Sequence, residues 1–340
     1  LGRNDNMMKK WLAAGALALT AGATATPALA QTTTVPGEQV GLAAAAPLPE
    51  GIYAINTFTY RRPDAPSSAL SGSADTAVNI PLLVWSTPWR PLDANLRFLV
   101  AAPTVFAFTR NPAGVANRDI SINVGTFVSA QLAWDLGGGF STALLGGVYL
   151  NDLNGDRGSL CNPAALTPLC TPVLPQLSSN TYRFGVAGSY TADGWNITAN
   201  LTANIYDSPG RFPGRVGGLI GPINISDALN IDLTATKKFG KLEIGAVGYG
   251  TFNFDIGPLS AAAGNRGRFA LGGLIGYDFG PFTAQLYVAR DVATGARYLD
   301  ALGRTRDNYS TDGWFRIIAP LYTAAAPAAP IAPAPLVRKY

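Results

Sequence analysis

The stretch DISINVGTFVSAQLAWDL, residues 119–136, alternates apolar and polar side chains. Ile120, Ile122, Val124, Val128, Ala130, Leu132 and Trp134 share one parity. Asp119, Ser121, Asn123, Ser129 and Gln131 share the other, with Phe127 the main interruption. A period of two over this length marks a strand with one apolar and one polar face. A soluble sheet would hide the apolar face in a core, whereas a membrane barrel turns it to lipid and keeps the polar face inside. In a barrel, Ile120, Ile122, Val124, Val128, Ala130 and Leu132 face lipid, Trp134 lies at a rim, and Asp119, Asn123 and Gln131 face inward.

Extended along the chain, the pattern predicts strands over 51–62, 76–88, 95–109, 119–134, 139–151, 180–192, 194–206, 227–238, 241–253, 267–279, 281–291 and 312–322. That is about twelve, within a range of ten to fourteen. Most run well beyond the five or six residues usual in globular strands and reach the nine to eleven that a tilted membrane-crossing strand needs. The connections alternate in length. DLGGG, TADG, KFGK and DFGP are tight, while 62–75, 110–118, 152–179, 207–226, 255–267 and 292–311 are long and rich in polar residues, Gly or Pro; PWRPLDAN (88–95) falls on the tight side. Short turns at one rim and long loops at the other are the pattern of an up-and-down outer-membrane barrel, with both termini in the periplasm.

Strand 194–206, GWNITANLTANIY, sharpens the choice of solvent. Asn196, Asn200 and Asn204 share a face with Thr198 and Thr202, opposite Trp195, Ile197, Ala199, Leu201, Ala203 and Ile205. An asparagine-rich face is costly in a dry core and tolerated in a hydrated lumen. Trp134, Tyr149, Tyr190, Trp195 and Phe279 fall near predicted strand ends, where aromatic girdles mark membrane interfaces.

The ends of the chain divide the rest. Lys9 and Lys10 precede the apolar WLAAGALALTAGATA and the small-residue end Ala28-Leu29-Ala30, which predicts a leader and signal peptide over 1–30 with cleavage after Ala30. Residues 31–50 then form a short periplasmic segment, 51–322 the barrel, and 323–340 an Ala/Pro-rich, disordered periplasmic tail. Charged residues make up only 14% of the chain, against about 25% in ordinary soluble proteins. The net charge of +4, without a basic cluster, gives no support for nucleic acid as a partner. The expected surroundings are outer-membrane lipid, the outer-membrane assembly machinery and a small-molecule solute. Cys161 and Cys170 predict a disulfide that stiffens one loop.

LPEGIYAINTFTYRR (48–62) and IPLLVWSTPWRPLDANLRFLVAAPTV (80–105) resemble the opening of the bacterial family of the MetA pathway of phenol degradation. DALNIDLTATKKFGKLEIGAVGYGTFNFD, GRFALGGLIGYDFGPFTAQLYVARD and GWFRIIAPLY extend the resemblance over about 50–322. It implies an outer-membrane transport barrel, distantly similar to the long-chain fatty acid channel, taking up hydrophobic or aromatic compounds. That channel's long N-terminal plug has no obvious counterpart in the twenty residues before the first strand.

Candidate chemistry is sparse. The chain contains no histidine, which removes Ser-His and Cys-His nucleophiles and most zinc sites, so no enzyme activity, metal or cofactor is expected. DLNGDRG (152–158) spaces Asp152, Asn154 and Asp156 like a calcium loop but has Arg157 at the glycine position and Pro163 at that of the bidentate Glu. GRVGGL and GFSTALLGG lack a Walker lysine. What remains is the lumen. Charges facing lipid are expensive, so the polar parity of each strand points inward and brings in Arg97, Asn123, Gln131, Arg183, Asn200, Asn204, Asp232, Glu243, Arg268, Gln285 and Arg316. These residues predict a narrow, passive channel for small hydrophobic or aromatic compounds. Two alternatives stay open: a small porin for polar or anionic solutes, and a closed barrel whose outer loops form an interaction or adhesion surface.

Overall fold

A computed structural model describes residues 34–65, 73–110, 119–123, 125–150, 159–161, 170–172, 180–206, 227–254, 267–300 and 302–324. Its wall begins with β1 (Gly51–Pro63), β2 (Ser73–Ser86), β3 (Asn95–Ala101), β4 (Thr104–Arg110), β5 (Asp119–Asn123), β6 (Thr126–Gly137) and β7 (Phe140–Leu150). A small ladder, β8 (Ser159–Cys161) with β9 (Cys170–Pro172), intervenes. The wall resumes with β10 (Thr181–Tyr190), β11 (Trp195–Tyr206), β12 (Ala228–Phe239), β13 (Leu242–Asn253), β14 (Gly267–Asp278) and β15 (Thr283–Thr294). A hairpin of β16 (Arg297–Leu299) and β17 (Thr305–Asp307) leads to the closing β18 (Ser310–Thr323). β3 with β4, and β5 with β6, are each one stave interrupted in the middle, so the staves number twelve, all paired antiparallel in chain order. β1 bonds to both β2 and β18, which closes the barrel.

The expected loop parity holds: the tight connections after β2, β6, β10, β12 and β14 gather at one end with the start of β1 and the end of β18. Among the described residues no helix is long and apolar enough to cross a membrane, and the crossing elements are strands. One row of the outer face illustrates the apolar band. Leu96, Leu132, Leu144, Val186, Leu201 and Ile231 follow one another across six staves, and Leu144 and Val186 stand 52% and 46% exposed. Their neighbours along each strand are buried inward. An apolar band outside and a polar lining inside is a soluble barrel inverted, the arrangement that hydrocarbon requires.

Two expectations need correction. The single period read over 119–136 breaks at 124–125. Ala101 pairs with Phe127, yet Thr104 pairs with Asn123. Three residues on the fourth stave therefore oppose two on the third, which is a β-bulge, with Gly125 at φ 121°. One extra residue reverses the parity. In β6, Phe127, Ser129, Gln131 and Ala133 alternate inward against Val128, Ala130, Leu132 and Trp134. In β5, Asp119 is exposed, and its register partner Phe108 lies on the outer face beside Tyr60. Asn123 aligns through Thr104 and Asn79 with Phe58, an outward position. The side chains of Ile120, Ile122 and Asn123 lie outside the described residues, and the backbone register does not support an inward Asn123.

The second correction concerns residues 31–50. The sequence reads as a short periplasmic segment there, with no obvious counterpart to a long N-terminal plug. Residues 34–46 instead run inside the barrel, bonded to wall strands all around it, as described below. Tyr149, expected in a girdle, also points inward and packs against the Phe127 ring in a tilted arrangement, centroids 4.5 Å apart. The expected signal peptide, the tail from 325, DLNGDRG and GRVGGL lie outside the described residues.

Candidate functional site

The inward parity of each strand assembles a lumen whose lining is part charged, part aromatic. Ten of the eleven residues expected there have buried, inward side chains: Arg97, Gln131, Arg183, Asn200, Asn204, Asp232, Glu243, Arg268, Gln285 and Arg316. The eleventh, Asn123, has its side chain outside the described residues. The wall residues do not meet one another across open space, because the N-terminal segment fills the axis between them.

Residues 34–46 descend from the long-loop half of the barrel to the short-turn end as a chain of tight turns. Main-chain bonds from Glu38 to Val35, Val40 to Gly37, Leu42 to Gln39 and Ala46 to Ala43 span 3.0–3.2 Å. Near the top, the Thr34 hydroxyl donates to Asn204 at 2.5 Å. Midway, the Asp232 carboxylate accepts the Gly37 N–H at 2.7 Å and the Gln39 N–H at 3.3 Å. Arg183 pairs with the Glu38 carboxylate at 2.5 Å. Arg316, fully buried, donates to the carbonyls of Val40 and Glu38, the latter at 2.5 Å. It is held in turn by Thr57 at 2.9 Å, Tyr287 at 3.1 Å and Gln285 at 3.2 Å. The Tyr287 hydroxyl donates its own hydrogen bond to the Gly37 carbonyl at 2.9 Å.

Lower down, Thr234 accepts the Gly41 N–H at 2.8 Å, and Gln285 and Asn196 donate to the Gly41 carbonyl at 3.1 and 3.3 Å. Glu243 orients Gln285 from behind at 3.1 Å. Gln131 donates to Ala44 at 3.0 Å, Ser189 accepts from Ala45 at 3.2 Å, and Arg97 donates to Ala46. The chain then leaves through Leu48 and Pro49, whose carbonyls accept from Ser86 and Tyr53, and enters β1. A segment that bonds to β3, β6, β10, β11, β12, β15 and β18 in turn lies inside the ring those strands form. It is a plug.

Above the plug a second cluster lies between the long-loop ends of β1, β14, β15 and β18. Asp312 accepts from Arg61 at 3.0 Å, from Tyr249 at 2.8 Å and from Arg268, and Arg268 also reaches Asp291 at 3.3 Å. Trp314 donates its indole N–H to Tyr249 at 2.9 Å and stacks on Tyr287 at 5.2 Å. Arg268 lies over Tyr249 and Arg316 over Tyr287, at 5.4 and 5.6 Å from the ring centroids, a favourable use of the ring faces. With Phe127, Tyr149, Val78, Ile80, Val247 and Leu274 these rings form an apolar sector, into which the plug inserts Val35 and Val40. Asp291, Asp312, Tyr249, Tyr287 and Trp314 follow the same inward parity as the residues picked from sequence and were legible in principle. Glu38 carries no periodic signal and was not.

The named charges balance. Around the plug Arg97, Arg183 and Arg316 are matched in number by Glu38, Asp232 and Glu243, with Arg183 and Glu38 in direct contact, and above it Arg61 and Arg268 pair with Asp291 and Asp312. Five guanidiniums are thus offset by five carboxylates, so the four arginines singled out from sequence form no uncompensated cationic ring.

A COG4313 outer membrane channel from Pseudomonas putida F1 shares this fold, with a TM-score of 0.57 at 12% identity over 84% of this chain and 99% of that one. The Pseudomonas putida toluene transporter TodX aligns less well, with a TM-score of 0.38 at 9% identity over 89% and 96% of the two chains. The transport unit of the autotransporter AIDA-I from Escherichia coli gives 0.47 at 11% identity over 89% and 98%. No curated protein matches the sequence. The model of the family described as "Putative MetA-pathway of phenol degradation" matches residues 59–302, and the chain belongs to that family.

Proposed function

We propose that this barrel is a passive outer-membrane channel for small, uncharged hydrophobic or aromatic compounds, with its short-turn end and chain termini on the periplasmic side. The observation that carries this reading is the inner surface. A sector of the wall is aliphatic and aromatic, from Val78 and Ile80 through Phe127 and Tyr149 to Tyr249, Tyr287 and Trp314, while the named charges beside it are balanced in number and held by ion pairs or hydrogen bonds. Ordered rings with satisfied polar edges suit a solute with an apolar body and a single polar group. A porin selecting anions needs an excess of cationic groups at its constriction, and the balance of named charges argues against one. The family description points toward aromatic degradation and agrees with this choice.

The test is uptake into vesicles carrying lipopolysaccharide in the outer leaflet, which slows unaided entry of apolar solutes. A monoaromatic compound, a sugar and a small anion are compared. Faster aromatic uptake with the barrel than without it is expected. Anion flux that exceeds aromatic flux would overturn the proposal. The filled lumen favours a second reading, the closed barrel with outer loops as an interaction surface, and that one predicts no flux of any of the three even after the plug is loosened.

A further inference from the structure

The plug is a peptide, and the wall recognises it as one. From Gly37 to Ala46 the bonds across the lumen go to main-chain N–H and C=O groups. Among the described residues, side-chain recognition of that stretch by hydrogen bonding or ion pairing comes only through Glu38, paired with Arg183. Main-chain recognition tolerates changes of sequence, as strand addition does elsewhere. Two positions are demanding. Gly37 sits at φ +98°, and a Cβ there would meet the Trp314 ring at 2.8 Å; Gly41 sits at φ +82°, and a Cβ there would meet Leu274 at 2.7 Å and Gln285 at 2.9 Å. Both lie in the left-handed region and both are crowded, so only glycine fits either place.

The wall does not depend on the plug for its ladder, because the staves pair with one another around the closed ring. The plug joins it through residues 47–50, where Pro47, Pro49 and Glu50 are exposed at the short-turn end. The fit is also incomplete. Both amide atoms of Asn230, the Ser129 hydroxyl and the Thr251 hydroxyl stay buried without a partner, a cost that water would remove once the lumen emptied.

We infer that the lumen wall is a peptide-binding site whose resident is replaceable. Its ligand class is a short peptide of small residues with glycines four apart, entering from the short-turn end. This extends the barrel's chemistry from small solutes to a peptide partner, and it stands whether or not aromatic compounds pass.

The complete chain is folded with a protease recognition sequence inserted after Pro47, then cut in detergent, with barrel integrity followed by heat-dependent gel migration. Mass spectrometry reports whether the severed plug leaves. A fluorescent peptide of residues 34–46 is then added and its anisotropy followed. Saturable uptake by the cut barrel is expected, with the uncut chain weaker by at least about tenfold because its tethered plug competes at millimolar effective concentration. A peptide carrying Gly37→Ala and Gly41→Ala should bind at least about tenfold more weakly, since each site forces a strained, crowded residue. A severed plug that never leaves an intact barrel overturns the inference. So does failure of the added peptide to bind the emptied barrel, or equal binding of the alanine peptide. The same two substitutions in the uncut chain should weaken the resident plug and raise uptake of the labelled native-sequence peptide; no change there would also count against it.

Discussion

Arg316→Met isolates what holds the plug shut. Arg316 has no exposed surface and donates to two plug carbonyls, those of Val40 and Glu38. Methionine keeps most of the volume and none of the donors. Hydrogen bonds involving a charged group contribute about 1.5–3 kcal/mol each, so losing two costs the plugged state about 3–6 kcal/mol relative to an open one. At about 1.4 kcal/mol per tenfold, the open population rises by roughly two to four decades, and water entering the vacated site pulls the figure toward the lower end. The ladder of the wall is untouched, so far-UV circular dichroism and heat-dependent gel migration should remain those of a folded barrel. Open time in planar bilayers is the readout. Arg97→Met, which removes one plug carbonyl bond, at Ala46, should show about half the free-energy effect. Arg290→Ala, on the exposed face with Asp64 as partner, should show none. An intact Arg316→Met barrel with unchanged open time would refute a plug held by arginine–carbonyl bonds, as would an equal rise in Arg290→Ala.

Other outcomes follow from the same geometry. Leu144→Arg places a charge in the middle of the apolar outer row and should destabilise folding into liposomes by about 2–4 kcal/mol, read from urea titrations; Thr142→Arg, two residues nearer the rim, should cost less. Cys161 lies directly across from Cys170 in the β8–β9 ladder, a position whose Cα separation suits a disulfide. Non-reducing peptide mapping should find the bridge, and reduction should raise protease cleavage in that loop while leaving the barrel folded. In the outer hairpin, the backbone N–H of Arg304 leads the groups that hold the Asp300 carboxyl down to about 2, with the Arg304 side chain, the Leu302 N–H and Arg306 adding to it. A depressed carboxyl stabilises the hairpin above its unfolded value near 4 and stops doing so as pH falls through about 2. Proteolysis of 297–307 should therefore rise over that window, and Asp300→Asn should remove the dependence.

The staves were legible because hydrocarbon imposes a period of two on every strand and leaves turn residues as the only punctuation. The Leu96–Ile231 row and the asparagine face of β11 both follow from that period. The bulge at 124–125 was not legible. A single added residue between Asn123 and Thr126 leaves the apolar–polar alternation looking continuous, and only the pairing with Thr104 reveals the slip. The plug was hidden for a different reason. TVPGEQVGLAAAA has no period and few bulky side chains, since the wall binds its main chain. Yet the arginines contained a clue. A guanidinium turned into a lumen brings five N–H donors, and among the described residues Arg316 finds only Thr57, Gln285 and Tyr287 on the wall. Among the same described residues Arg97 finds only Asn95 and Gln131 there. Inward arginines with too few wall acceptors in their own neighbourhood call for acceptors from somewhere else, and in a lumen the nearest abundant source is the carbonyls of a chain threaded through it. Accounting for donors, where hydropathy is silent, is what would have found the plug.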